Sequence, residues 1–166
     1  MPWRNGAGTT RELAAAADGA WRVSVAAIPG PAPYSRFTGA DRVSCVVEGE
    51  GLALEVYGED RTVRRGDVLA YPGEAPVVGR PLDGPVQNLN LVLDRARAVG
   101  GMRVVAGDEL VLAADDVLAW VLDGPDAGRV VLAGPDHGRR LRLGGGGRAV
   151  VVSAMMRDDA EKEERR

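Results

Sequence analysis

Apolar and polar residues alternate with a period of two along most of this 166-residue chain. In WRVSVAA, Trp21, Val23 and Val25 fall on one side, and Arg22 and Ser24 on the other. RVSCVVE groups Val43, Cys45 and Val47; GLALEVY groups Leu52, Leu54 and Val56. Successive side chains of a strand point to opposite faces, so these runs read as strands with one buried face. VLAY, PVQNLNLVLD, MRVVAG, VLAWVLD, GRVVLAG, RRLRLG and RAVVVSAMM continue the series. Turn signals separate them at Gly66-Asp67, Pro72-Gly73, Asp83-Gly84-Pro85, Asp123-Gly124-Pro125 and Gly144–Gly147. About ten short strands at this spacing predict an all-β sandwich or barrel. One segment breaks the pattern. Arg11–Ala17, RELAAAA, has helix-forming composition and predicts one short N-terminal helix, closed by Asp18-Gly19.

The length suits one compact domain or two small halves sharing a core. The rhythm of EGEGLALEVYGEDRTVRRGDVLAYPG returns in LDGPDAGRVVLAGPDHGRRLRLGGGGRAVVVSA, which favours two related halves. The formal net charge of −3 gives no basic footprint for nucleic acid. No apolar run approaches the roughly 20 residues of a membrane helix, and no signal-peptide core is present. Cys45 is the only cysteine, so an internal disulfide is excluded and the cytoplasm is the expected compartment. The closing MRDDAEKEERR is almost free of apolar residues, so 157–166 is expected to be a disordered charged tail.

Metal chemistry finds few ligands. A transition-metal site takes three or four His, Cys or carboxylate groups, and the chain has one His and one Cys. No metal and no cofactor are expected. His137 lies in a turn and reads as a surface residue; Cys45 alternates with valines and reads as a buried thiol. No Ser occupies a nucleophile elbow, and RNGAGTTRE lacks the Gly-Lys-Ser/Thr ending of a phosphate loop.

Polar residues on strand faces are the better candidates. Asn5, Thr10, Arg11 and Glu12 lie beside Gly6 and Gly8, which permit close approach of a ligand to the backbone. Arg11 can form a two-pronged contact with a carboxylate. The competing reading makes Thr9 or Thr10 the cap of the short helix. Ser24, with Arg22, and Asn88, with Asn90, occupy polar strand faces. Inside a small barrel such groups need a partner, and a polar ligand would supply one. Arg42 follows Asp41 beside Ser35 and Phe37, and an Asp41–Arg42 salt bridge at the barrel mouth is the alternative to a ligand contact. Trp3 and Phe37 offer flat surfaces for a planar ligand or a lid for the core. A catalytic role would need a general base, for which Glu12, Asp41 and Glu48 are available.

Several motifs carry a resemblance. VVEGEGLALEVYGEDRTVRRGDVLAYPGEAP resembles the core of a cupin, with Gly66 and Pro72 at the usual spacing. In metal cupins two His and a Glu would fall near Ser35, Phe37 and Asp41. PWRNGAGTTRELA, WRVSVAAI, PYSRFTGADR, VEGEGLAL and GDVLAYPGEAPVVGRPLDGPVQNLNLVL together resemble the HutD/Ves family, in order, over residues 2–94. Arg4 stands for the motif Lys, Ala7 for a Gly, Tyr34 for a Phe and Thr38 for a Pro. The family's strand ahead of Pro-Trp is absent, so the given start is expected to be internal to a longer product or trimmed. The resemblance implies a bicupin, a double-stranded β-helix barrel with 1–94 as the first lobe and 95–156 as a smaller second lobe. It implies metal-independent binding of a small carboxylate-bearing metabolite, of the urocanate or formylated amino acid class. It also implies a sensor or regulator linked to histidine utilisation or stress response. The alternative is a metal-independent isomerase or hydrolase. An open sheet edge at the start predicts pairing into a homodimer.

Overall fold

The computed structural model describes residues 1–2, 8–134 and 138–157. Fifteen strands run in chain order. The first lobe contains β1 (Thr9–Ala15), β2 (Trp21–Ile28), β3 (Ala32–Pro33), β4 (Ala40–Glu48) and β5 (Gly51–Val56). It continues with β6 (Glu59–Arg64), β7 (Val68–Pro72), β8 (Val77–Pro81) and β9 (Val86–Asp94). The second lobe contains β10 (Ala98–Ala106), β11 (Glu109–Val111), β12 (Asp116–Val121), β13 (Val130–Leu132), β14 (Arg140–Arg142) and β15 (Arg148–Met156).

In the first lobe a central sheet, ordered β1-β2-β9-β4-β7, faces a cover sheet, ordered β3-β8-β5-β6. Strands β2 to β9 therefore wind between two four-stranded layers in the jelly-roll order found in cupins. The second lobe repeats the winding in shortened form. Its sheet β10-β15-β12-β13 corresponds to β2-β9-β4-β7, and the pair β11-β14 corresponds to β3-β8. A counterpart of the β5-β6 hairpin does not occur among the described residues. The expectation of a bicupin is corrected accordingly: among the described residues the second lobe has six strands, and its cover is two strands wide, short of a second barrel.

Four layers result, with three apolar cores between them. Ala26, Ile28, Val46, Leu52, Leu54, Val77 and Val86 fill the apolar end of the first barrel. The opposite face of the central sheet, with Val23, Val25, Val43, Cys45, Leu89 and Leu91, packs against Leu118, Trp120, Leu122, Val150 and Val152 of the second lobe. Leu110, Leu112, Val121, Val131, Leu141, Leu143 and Val151 close the third core.

The predicted helix is a strand. Thr9–Ala15 pairs antiparallel with β2, with a bulge between Glu12 and Ala14. A helix of two turns is marginal by itself. Pairing with β2 satisfies its backbone and sets Leu13 against the core between the lobes. Thr9 and Thr10 are accordingly strand residues, not helix caps. No helix occurs among the described residues, so none is long and apolar enough to cross a membrane.

Candidate functional site

Strand register builds the interior of the first barrel row by row. In the central sheet, Arg22 of β2 and Arg42 of β4 both lie opposite Val92 of β9, and Tyr71 of β7 lies opposite Arg42. One row along, Ser24 and Ser44 both lie opposite Asn90, and Glu12 extends the row from β1. In the next row Ala26 and Val46 flank Asn88, with Thr10 at the edge. Directly paired residues share a sheet face, so these polar side chains share the face that bears the barrel core. Its far end is apolar and its near end is polar.

Arg42 is the centre of the polar end, and only 8% of it is exposed. Its Nε and Nη2 donate to Asn90 Oδ1 at 3.2 and 2.8 Å, and Nη1 donates to the Ser35 carbonyl at 3.4 Å. Asn90 is held in turn by Asn88: its Nδ2 donates to the Asn88 carbonyl at 2.9 Å, and Asn88 Nδ2 donates to Asn90 Oδ1 at 3.3 Å. A guanidinium has five N–H donors. Three are spent here, which leaves two. No carboxylate pairs with Arg42 among the described residues.

Three aromatic rings enclose the cation. The Arg42 Cζ lies 4.9 Å from the ring centre of Tyr34, 5.7 Å from Tyr71 and 5.8 Å from Phe37. Arg22 approaches Phe37 as well, at 4.9 Å, from the more exposed side. Two cations thus converge on one ring. The Phe37 loop is stapled to the end of β7: Phe37 N donates to the Gly73 carbonyl at 2.8 Å, and Gly73 N to the Ala40 carbonyl at 2.7 Å. A Cβ on Gly73 would lie 2.7 Å from the Phe37 carbonyl oxygen, so only glycine permits this approach. On β8, Gly79 serves Tyr34 in the same way, since a Cβ there would meet the Tyr34 ring at 2.5–2.8 Å. Burial raises the pKa of both tyrosines above the ordinary phenol value, so they remain neutral phenols. The Tyr71 hydroxyl is buried with no hydrogen bond of normal geometry, although Ser44 is near enough to favour its ionised form.

The structure brings Ser24, Phe37, Arg42, Asn88 and Asn90 onto this site, and Ser35 contributes its carbonyl oxygen. Glu12 and Thr10 extend the rows at the β1 edge. Arg11 pairs with Val25, so it belongs to the opposite face, and it is exposed. Asp41 does not pair with Arg42. It accepts a hydrogen bond from Arg95 Nε at 2.8 Å, while Arg95 also grips Glu74 at 3.0–3.1 Å. Glu48 lies beyond the bulge of β4, exposed, and accepts from Gln87 Nε2 at 2.6 Å. Asn5, Trp3 and His137 lie outside the described residues. Tyr34, Tyr71, Ser44 and Gly79 were not singled out from the sequence. Arg42 and Ser44 were legible as the face opposite Val43 and Cys45. The tyrosines come from segments that meet them only in the fold.

The surroundings of this site differ from it in character. The interior of the second lobe is lined by aliphatic side chains alone. An open groove between β7 and β10 is lined by apolar groups such as Val43, Ala70 and Val99, and it also reaches Asp41, Arg42, Tyr71 and Arg157, so it borders the site rather than lying apart from it. Among the described residues no three His, Cys, Asp or Glu side chains gather as a metal site.

Comparison with known proteins agrees with this architecture. The HutD family profile matches residues 1–138. An uncharacterised 21.2 kDa protein of Pseudomonas putida from the hutC 3′ region is 36% identical over 98 residues, 55% of this chain and 52% of that protein. Protein Ves of Citrobacter koseri is 35% identical over 108 residues, 61% of this chain and 56% of that protein. In both, the match spans little more than half of the relative's length. Among solved structures, HutD from Pseudomonas fluorescens SBW25, in a formate condition, superposes with a TM-score of 0.72 at 28% identity, covering 95% of this chain and 94% of that one. A conserved protein of unknown function from Pseudomonas aeruginosa PAO1 shares the fold, with a TM-score of 0.79 at 24% identity and the same coverage.

Proposed function

The chain belongs to the HutD family, and from that premise we propose that its first barrel binds a small carboxylate-bearing metabolite in the cytosol without a metal. The protein then acts as a sensor or regulator linked to histidine utilisation or to stress response. The observation that carries the reading is Arg42. A guanidinium removed from water costs several kcal/mol unless an anion compensates it. Ring faces and amide oxygens compensate in part. Two N–H donors and a second cation, Arg22, remain for an incoming anion. A carboxylate satisfies that demand with one planar, two-pronged contact. The surrounding rings favour a ligand with a flat or apolar body, as in urocanate or a formylated amino acid.

The gene neighbourhood in the name of the Pseudomonas putida relative and the formate condition of the Pseudomonas fluorescens HutD are consistent with this class of ligand. A catalytic alternative needs a general base; Asp41 and Glu48 are already engaged by Arg95 and Gln87, which leaves Glu12, exposed at the β1 edge of the same row. The direct test is a thermal-shift series with formate, urocanate, formylglutamate and imidazole. A ligand at about 100 times its Kd adds about 2.7 kcal/mol. For a chain of this size that is a shift of roughly 5–10 °C. Protection by carboxylates and none by imidazole supports the reading; no protection by any carboxylate overturns it.

A further inference from the structure

We propose that β10 and the adjoining edge of β7 form the seam through which two copies of this chain pair. An open strand edge invites another strand unless charge, shortness or a bulge guards it. Most edges here are guarded. The central sheet begins with β1, which exposes Arg11 and Glu12 and is bulged. The cover sheet ends in β6, with Glu59, Asp60, Arg61 and Arg64, and in a β3 of 2 residues. The second-lobe sheet ends on one side in β13, with 3 residues.

The edges of β7 and β10 lie next to each other and lack such guards. β10 is 9 residues long, AVGGMRVVA, with Arg103 as its one charge. Arg103 does not stand at the edge as a gatekeeper. Its Nη1 and Nη2 each donate to Asp116 across the sheet at 2.7 Å, and the Asp116 side chain is fully buried. Apolar groups are left at the rim: Val99 is 40% exposed, Val104 38% and Val68 of β7 38%. Met155 and Met156 are exposed opposite Val99 and Ala98.

The occupant that fits is a second copy. Antiparallel pairing of β10 with itself about Met102 sets Val104 opposite Gly100 at both ends of the seam. Val104 then meets a glycine, Val99 meets Val105, and Gly101, whose free side faces open space, lies opposite Arg103. A two-fold interface requires such self-matching, since each patch meets its own image. The one charge on β10, Arg103, is already paired with Asp116, which lessens like-charge opposition between two copies of the strand. The edge is about 30 Å long. Pairing joins two four-stranded sheets into one of eight, and the row on β7 widens the seam toward the roughly 800 Å² per partner of a stable interface.

Light scattering on the full chain should give twice the 17.4 kDa of one copy at micromolar concentration. Val104→Lys and Val99→Lys should weaken self-association at least tenfold while the melting curve of the dilute protein stays in place. Leu132→Lys, on the far edge, should leave the dimer intact. Hydrogen exchange reads the same seam without substitution: β10 amides should slow as the parent is concentrated, and β6 amides should not. A parent that stays monomeric, a Val104→Lys variant as dimeric as the parent, or β10 exchange that ignores concentration overturns the proposal.

Discussion

Replacing Arg42 by Met separates a binding cation from a structural one. The substitution keeps a straight stem among Tyr34, Tyr71 and Phe37 and removes the charge. In the unliganded protein the losses are three hydrogen bonds, of which those from a charged donor contribute about 1.5–3 kcal/mol each, and ring contacts of about 0.5–2 kcal/mol each. The gain is relief from holding a charge at 8% exposure, several kcal/mol. Asn90 Oδ1 still accepts from Asn88 Nδ2, so the amide is not orphaned. Loss and gain oppose each other, so the change in melting of Arg42→Met should be small beside its change in carboxylate affinity. Carboxylate binding should suffer far more, since truncating one partner of a desolvated ion pair costs about 2–5 kcal/mol, or roughly 30- to 4,000-fold in Kd. Arg42→Lys should recover only part, because an ammonium has no planar fork. Paired melts and calorimetric titrations with urocanate and formylglutamate read both quantities. A variant that loses about 3 kcal/mol of stability yet binds as the parent does would refute the reasoning and make Arg42 a structural strut.

Four further outcomes follow from named contacts. Gly79→Ala should displace the Tyr34 ring, destabilise the fold by about 1–3 kcal/mol and weaken carboxylate binding; an unchanged melt and affinity would remove Gly79 from the site. Burial works to raise the Asp116 carboxyl, but the Arg103 fork and the Ala113 N–H outweigh it and hold it below the ordinary value. Its stabilisation is therefore complete above the unfolded value near 4 and fades as pH falls through the lowered folded value. Asp116→Asn should cost about 2–3 kcal/mol at neutral pH, less than a fully buried pair because Arg103 is half exposed, and should flatten the acid limb of a stability–pH curve. Burial pushes the Cys45 thiol up to about 12, so a thiol reagent at neutral pH should label it only after denaturation; fast labelling of the native chain would contradict its place in the core. Elemental analysis of protein purified without chelator should find no stoichiometric transition metal, and one equivalent of iron, manganese or zinc would sink the metal-free reading.

The strand positions were legible because a period of two survives wherever one face is buried and the other is not. That alternation separated Asn88 and Asn90 from Leu89 and Leu91 and left Ser24 and Arg42 on polar faces. The RELAAAA segment misled because local propensity competes with an edge that needs a partner, and β2 supplied the pairing. The side on which Arg11 falls depends on its pairing with Val25, and pairing partners are not written in composition. The aromatic enclosure was hidden for a related reason. Tyr34 and Phe37 reach Arg42 from the loop between β3 and β4 and Tyr71 from an edge strand, and the glycines that admit them act on neighbours distant in sequence. The shortened second lobe was hinted at by the fainter echo after Leu122, but a missing hairpin leaves no residue to read.

The central sheet has consequences for how the chain comes apart. Its strands are the partition wall of two cores, so the barrel that contains Arg42 is not a separable module. A fragment ending at Asp94 would expose Val23, Val43, Leu89, Leu91 and Leu93 to water along a whole sheet face, which marks it for aggregation rather than independent folding. The slowest-exchanging amides should therefore sit on β4 and β9, inside the wall, rather than at the middle of either lobe. An anion captured at Arg42 on β4 would brace that wall from one side, and the second lobe would register it on the other.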